Sequence, residues 1–213
     1  YDVIEAAVTS YYETHKITVD SFWEDHVTKS NFYQIIINEH QAGFFAIHDQ
    51  SMVTLFHMSD QYARYGQKVF EEVKRFEQVT NAFVPTGDEF FLSHAIDNFA
   101  RLEKQAYFSI YTDMEVSKDK RKVLDLKRLK TDEEVALLDL TTDFFEPDSK
   151  DRILSGVEYF QVYKIEDGGM LVGFGVIEYG RIVKNIASIG MYVMPDKRQM
   201  GYAASILKVL QKL

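Results

Sequence analysis

Cysteine is absent from the 213 residues. A disulfide scaffold, a zinc ribbon and a thiol nucleophile are thereby excluded. Long apolar runs are missing too. Stretches such as Met170 to Ile177 fall well short of the roughly 18 residues that cross a membrane. No basic segment followed by an apolar one opens the chain, so nothing marks it for export. A cytoplasmic location with no membrane partner is the default expectation. Positive charge is in deficit: 24 Lys and Arg against 33 Asp and Glu, a net of −9. That balance argues against nonspecific nucleic-acid binding, and no nucleic-acid partner is expected. The chain opens on Tyr1 rather than Met, so a stretch of natural N-terminus is expected to precede it.

What is present is the mix of a globular protein, 46% hydrophobic and 27% charged. The chain is long enough to bury a core without covalent staples, and its length fits one or two domains. Charge distribution favours two. Residues 1–113 carry 8 basic and 17 acidic side chains and all six histidines, whereas 114–213 carry 16 of each sign and no histidine. The reading is a module over 1–114 and another over 115–213. Seven basic residues (Lys118, Lys120, Arg121, Lys122, Lys127, Arg128, Lys130) follow the boundary. Asp119 and Asp125 interrupt them, so they read as a solvated linker running into the next strand.

In the first module, helical spacing covers Asp2 to His15 and Ser21 to Lys29. β-rich segments follow at Phe32–Ile37, Ala42–His48 and Met52–Met58, with turns at Glu39-His40-Gln41 and Asp49-Gln50-Ser51. Gln61 to Phe76 is helical, Thr80 to Pro85 extended, Glu89 to Gln105 helical and Tyr107 to Thr112 a strand. The second module repeats the order. Leu124–Leu129 is a strand, and Thr131–Phe145 a helix opened by a Thr131/Glu134 capping box. Ile153–Gly156 is a short helix. Strands cover Tyr159–Ile165, Met170–Tyr179 and Asn185–Val193, the first two joined at Asp167-Gly168-Gly169. Gln199–Leu213 is a closing helix. The fold class is α+β, each module a mixed, mostly antiparallel sheet flanked by helices.

Chemistry concentrates where the strand through Met191, Tyr192 and Val193 ends, Met194-Pro195-Asp196 turns, and a helix opens. A helix start offers backbone N–H groups without partners and partial positive charge, which suits a phosphate or pyrophosphate. Gly201 removes a Cβ where backbone must approach such a ligand, and Ala203 keeps the next inward position small. Arg198-Gln199-Met200-Gly201-Tyr202-Ala203, after Val193-x-Pro195-Asp196, resembles the acetyl-CoA loop of the GNAT superfamily of N-acetyltransferases, [Q/R]-x-x-G-x-[G/A]. The resemblance covers 124–213. It implies a pantetheine arm lying like an added strand along Met191 to Val193. It implies a pyrophosphate on the N–H groups of Gln199, Met200, Gly201, Tyr202, Ala203 and Ala204. A backbone N–H near Val193 would stabilise the oxyanion, and an amine would attack directly.

The chain stops at Leu213, before the family's later strands and the tyrosine that often protonates the leaving thiolate, so the second module reads as incomplete at its C-terminus. The first module resembles the same family through Met58-Ser59-Asp60-Gln61-Tyr62-Ala63-Arg64-Tyr65-Gly66. There Tyr62 stands for Arg198 and Tyr65 for Gly201. Leu102-Glu103-Lys104-Gln105-Ala106-Tyr107-Phe108 is similar to the family's L-Y-E-K-x-G-F. It is therefore a degenerate copy.

Glu178, at a strand end, is a candidate base acting directly or through a water, and Tyr179 beside it is a similar catalytic candidate; no general acid is assigned. His40, His48 and His57 match no metal spacing, and no metal is expected. Gly173-Phe174-Gly175 has no helix after it and marks close backbone approach or a bulge rather than a dinucleotide loop. The expected activity is acetyl transfer from acetyl-CoA, the cosubstrate, to a primary amine of a small molecule or a protein. The alternative is a non-catalytic CoA-binding or interaction protein with the same fold.

Overall fold

The computed structural model describes residues 5–15, 20–76, 78–105, 109–112, 122–142 and 144–213. The chain forms two compact units, Tyr1–Tyr111 and Thr112–Leu213. In the first, α1 (Glu5–His15) and α2 (Ser21–Thr28) precede β1 (Asn31–Ile37), β2 (His40–His48) and β3 (Met52–Met58). These strands are antiparallel neighbours. After a 3-10 turn at Asp60–Tyr65 come α3 (Gly66–Lys74), β4 (Asn81–Ala82), which joins β3 in parallel, and α4 (Glu89–Ile96).

The second unit contains β5 (Asp125–Arg128), α5 (Asp132–Val135), a 3-10 stretch at Ala136–Thr141 and α6 (Ser149–Leu154). It continues with β6 (Phe160–Asp167), β7 (Met170–Tyr179), β8 (Ala187–Val193), a 3-10 turn at Pro195–Lys197 and α7 (Tyr202–Leu210). Its four strands pair antiparallel in the order β5-β6-β7-β8. The architecture is α+β, and among the described residues no helix is long and apolar enough to cross a membrane.

Strand alternation places apolar side chains on both faces of each sheet, so each needs two covers. In the first unit Phe70, Val73 and Phe91 close one face against Phe45 and Phe56. Tyr11 meets Phe44 edge-on on the other. The buried Tyr11 hydroxyl donates to Asp88, which also accepts the Phe91 N–H at 3.0 Å and so caps α4. Burial, then the Asp88 charge, pushes the phenol far up, so it stays a donor. In the second unit Tyr202, Ile206 and Leu210, each four residues apart on α7, cover one face. Val135, Leu138 and Ile153 cover the other.

The two units share three landmarks at the same spacing. A bulge at Ile35/Ile36 matches one at Ile165/Glu166. Both hairpins turn through two residues at positive φ, Asn38-Glu39 in the first and Gly168-Gly169 in the second, the geometry that matches strand twist. Each has a glycine on its central strand whose added Cβ would lie 2.1 Å from a neighbouring carbonyl oxygen: Gly43 against His57, Gly173 against Tyr192.

Several boundaries differ from expectation. The first hairpin turns at Asn38-Glu39, so His40 already belongs to β2; Asn accepts the left-handed conformation more readily than most residues. Gln61–Phe76 splits into a 3-10 turn and α3. The helix from Thr131 keeps its capping box but leaves α geometry after Val135. Thr141 Oγ1 donates to the Leu138 carbonyl at 2.7 Å, a side-chain competitor for helix acceptors. The helix from Glu89 ends at Ile96. Ser109 to Thr112 are exposed and outside any strand, and the rest of that expected strand, residues 107–108, lies outside the described residues. Lys118, Lys120 and Arg121 also lie outside them.

Two predictions follow from this packing. Gly173→Ala forces β7 and β8 apart and costs about 2–3 kcal/mol or more in denaturant unfolding. Gly190→Ala, whose nearest neighbour would be Val176 Cβ at 3.6 Å, is close to neutral. The second concerns Glu134, which accepts from Lys127 Nζ at 2.5 Å, Lys130 N–H at 2.9 Å and Thr131 N–H at 3.3 Å. These contacts, Lys127 foremost, push its carboxyl from 4.5 down to about 2. A lowered folded pKa contributes stability above the unfolded value and loses it as pH falls through the folded one. The cap therefore weakens as pH drops from 4.5 through about 2, and the Glu134 carboxyl 13C shift should titrate near the lower value.

Candidate functional site

The site grows from the edge of the second sheet. Met194 N–H donates to the Val172 carbonyl at 3.0 Å, and Gly180 N–H to the Ile186 carbonyl at 2.8 Å. Antiparallel pairs alternate between bonded and non-bonded. With the observed register, Gly190 and Tyr192 therefore spend their backbone groups on Val176 and Phe174. Ile189, Met191 and Val193 turn theirs the other way, where no strand pairs among the described residues. Arg198 Nε takes the Val193 carbonyl at 3.2 Å. The Met191 N–H and carbonyl and the Val193 N–H are left on the open edge. The Met191 and Val193 side chains pack toward α7, that of Tyr192 toward the opposite core. The Arg198 guanidinium lies 5.6 Å from the Tyr192 ring centre.

Beyond Val193 the chain turns through Pro195–Lys197, and Gln199 and Gly201 take positive φ of 63° and 81°. Gly201 is the N-cap of α7, and no side chain caps the helix. The first intrahelical donor is Ser205, 3.4 Å from the Gly201 carbonyl. The N–H groups of Tyr202, Ala203 and Ala204 precede it in the first turn and have no partner within the helix. Nothing lies within 4 Å of where a Gly201 Cβ would sit. The glycine is thus required by its left-handed φ, which other L residues adopt at a cost, and the space above it is open. Gly175 lets α7 lie close to the sheet, since a Cβ there would be 2.8 Å from Leu210.

Two features of the sequence reading change. The helix starts at Tyr202, not Gln199. The inward side chain of its first turn is Tyr202, not Ala203: Tyr202 is buried, while Arg198, Gln199, Met200 and Ala204 are exposed. Tyr202 can therefore offer a ligand only its backbone.

Its hydroxyl donates to Asp167 Oδ2 at 2.8 Å. Lys122 Nζ lies 3.6 Å from the same oxygen and 4.1 Å from the Tyr202 ring centre. The Tyr202 hydroxyl foremost, and the Asp167 carboxylate with it, raise the Lys122 ammonium above its ordinary value despite desolvation. Asp167 and Lys122 escape a sequence reading because their partner is remote in the chain.

Glu178 and Tyr179 sit at the other end of β7. Glu178 pairs with Ser188 in the β7–β8 register, five residues from the Gly173–Val193 pair, about 17 Å at roughly 3.3 Å per residue. Glu178 Oε1 forms an ion pair with Arg152, whose guanidinium lies 3.9 Å from the Phe160 ring centre. Tyr179 is 37% exposed. Among the described residues, no group of three or more His, Asp and Glu is placed to hold a metal ion.

The corresponding turn of the first unit is closed. Ser59 N–H bonds the Ala42 carbonyl at 2.9 Å as Met194 bonds Val172, and Tyr62 N–H bonds the Ser59 carbonyl as Lys197 bonds Met194. Tyr62 therefore matches Lys197 rather than Arg198, while Tyr65 does match Gly201 as N-cap, with φ −94°. A Cβ on Gly66 would lie 2.5 Å from His94 Nε2 and 2.8 Å from Phe90, so α4 covers this helix start.

A solved structure shares this fold: an acetyltransferase from the GNAT family from Colwellia psychrerythraea, at 16% identity. It matches with a TM-score of 0.74 over 98% of this chain and 81% of that chain. A family model for an acetyltransferase (GNAT) domain matches residues 1–112, more than half of the sequence, and the chain belongs to the GNAT acetyltransferase family. No curated protein matches it.

Because only backbone strain opposes a side chain at 201, Gly201→Ala should cost about 1–2 kcal/mol in denaturant unfolding. Gly201→Asn should cost less, since Asn visits the left-handed region more readily.

Proposed function

We propose that the protein transfers an acetyl group from acetyl-CoA to a primary amine, with the second unit holding the cosubstrate. The observation that carries this is the open edge of β8 leading through a left-handed glycine into the uncapped start of α7. An extended pantetheine arm carries amide donors and acceptors and can pair with Met191 and Val193 as an added strand does. The pyrophosphate then meets the N–H groups of Tyr202, Ala203 and Ala204 and the positive end of the helix dipole. The first unit keeps the fold, but with Tyr65 at the cap and His94 and Phe90 over the helix start it takes no cofactor.

The reaction follows from this placement. The thioester runs back along β8 toward Ser188, the end of the sheet where Glu178 and Tyr179 stand. An amine nitrogen attacks the carbonyl carbon, the carbonyl oxygen gains charge and takes a backbone N–H from the β8 edge. The C–S bond then breaks and the thiolate takes a proton. Arg152 holds Glu178 Oε1, which leaves Oε2 to accept the amine's proton directly or through a water. Tyr179 is the candidate donor to the thiolate. The acidic excess of residues 1–113 favours a cationic acceptor, a small amine or a protein lysine.

The Arg152–Glu178 pair favours one second reading, a CoA-binding protein without catalysis, because it occupies the candidate base. Calorimetry of the full chain with CoA, and thiol release from acetyl-CoA with a panel of amines, separate the readings. The expected results are CoA binding, weakened about tenfold or more by Gly201→Val (roughly 1.4 kcal/mol), and thiol release that needs an amine. Binding without release would establish the second reading. A folded chain that binds no CoA would overturn both.

A further inference from the structure

We propose that Asp167 is a positioning residue for the loop Arg198 to Ala204, acting through the Tyr202 hydroxyl; this rests on the acetyl-CoA reading of that loop. Gly201 offers neither side-chain packing nor a capping side chain, so no side chain at the cap fixes the first turn of α7. The restraint comes from the next residue. Tyr202 is 5% exposed, and its hydroxyl donates to Asp167 Oδ2 at 2.8 Å. Asp167 ends β6 immediately before a turn whose two glycines fix its course.

Lys122 completes the group from a third segment. Its ammonium faces Asp167 at 3.6 Å and the Tyr202 ring at 4.1 Å. Its backbone N–H donates to Ser205 Oγ at 3.3 Å, and that hydroxyl donates to the Gly201 carbonyl at 3.2 Å. The first turn is thus held from the β6–β7 hairpin, from the segment before β5 and from its own cap carbonyl. A hydrogen bond weakens steeply as its angle departs from linear. Three N–H groups that must converge on one pyrophosphate lose affinity when the turn rotates, with no change in the groups themselves. Asp167 touches neither cofactor nor acceptor in this account; it fixes the direction of the donors.

The test uses the full chain, CoA as the titrant, calorimetry below the melting temperature and a parallel melting curve. Tyr202→Phe and Asp167→Ala should each bind CoA about tenfold more weakly. The double variant should be no weaker than Asp167→Ala, because the hydroxyl bond that Tyr202→Phe removes is already absent there. Asp167→Asn keeps an acceptor for the hydroxyl and should recover most of the affinity. Tyr163→Phe removes another hydroxyl bond of the same sheet, 2.7 Å to Gln161, and should leave CoA affinity unchanged. Wild-type affinity in both single variants, or losses that add in the double variant, would overturn the proposal. If the unmodified chain binds no CoA, the cofactor reading itself fails and the proposal falls with it.

Discussion

The register between β7 and β8 is the constraint on which the rest depends. Gly173 lies so close to the Tyr192 carbonyl that no side chain fits between them, so the strands can pair in the observed alignment only with glycine at 173. A slip of one residue would turn every β8 side chain to the opposite face and every backbone group to the opposite edge. Met191 and Val193 would then face β7, and Tyr192 would leave its core. With the register held, the open edge leads through the turn after Val193 into the start of α7.

The two units show how little separates a closed turn from an open one. Bulge, hairpin turn and tight glycine recur at the same spacing, and both strands β3 and β8 hand over to a helix of nine residues. The difference lies in the residue at the helix cap and in what stands over it. Tyr65 keeps a right-handed φ and Gly66 is packed beneath His94 and Phe90; Gly201 is left-handed with open space above. The second loop also carries one residue more between the strand-end hydrogen bond and the cap. Family membership is carried by the first unit, and the open turn belongs to the second.

Much of the fold was legible because it is local. Met52–Met58 and Met170–Tyr179 are short apolar runs bounded by turn residues, and both strands form at those limits. The capping box at Thr131 and Glu134 needs only two side chains three positions apart, and it forms. Helix lengths were less legible. Thr131–Phe145 and Glu89–Gln105 carry helical spacing, but helical stability comes mainly from packing an apolar face, and spacing alone does not say where that packing stops.

The sequence by itself determined the order of elements, the glycine at 201, the turn at 168–169 and the absence of thiol chemistry, because each depends on near neighbours or on composition. The tertiary structure decided the rest. It set which backbone groups of β8 remain open, because that needs the strand register. It gave Glu178 to Arg152, and it turned Tyr202 inward onto Asp167. It also closed the first unit's helix start with α4. Each of these joins residues far apart in the chain, and a linear pattern carries no distance between them.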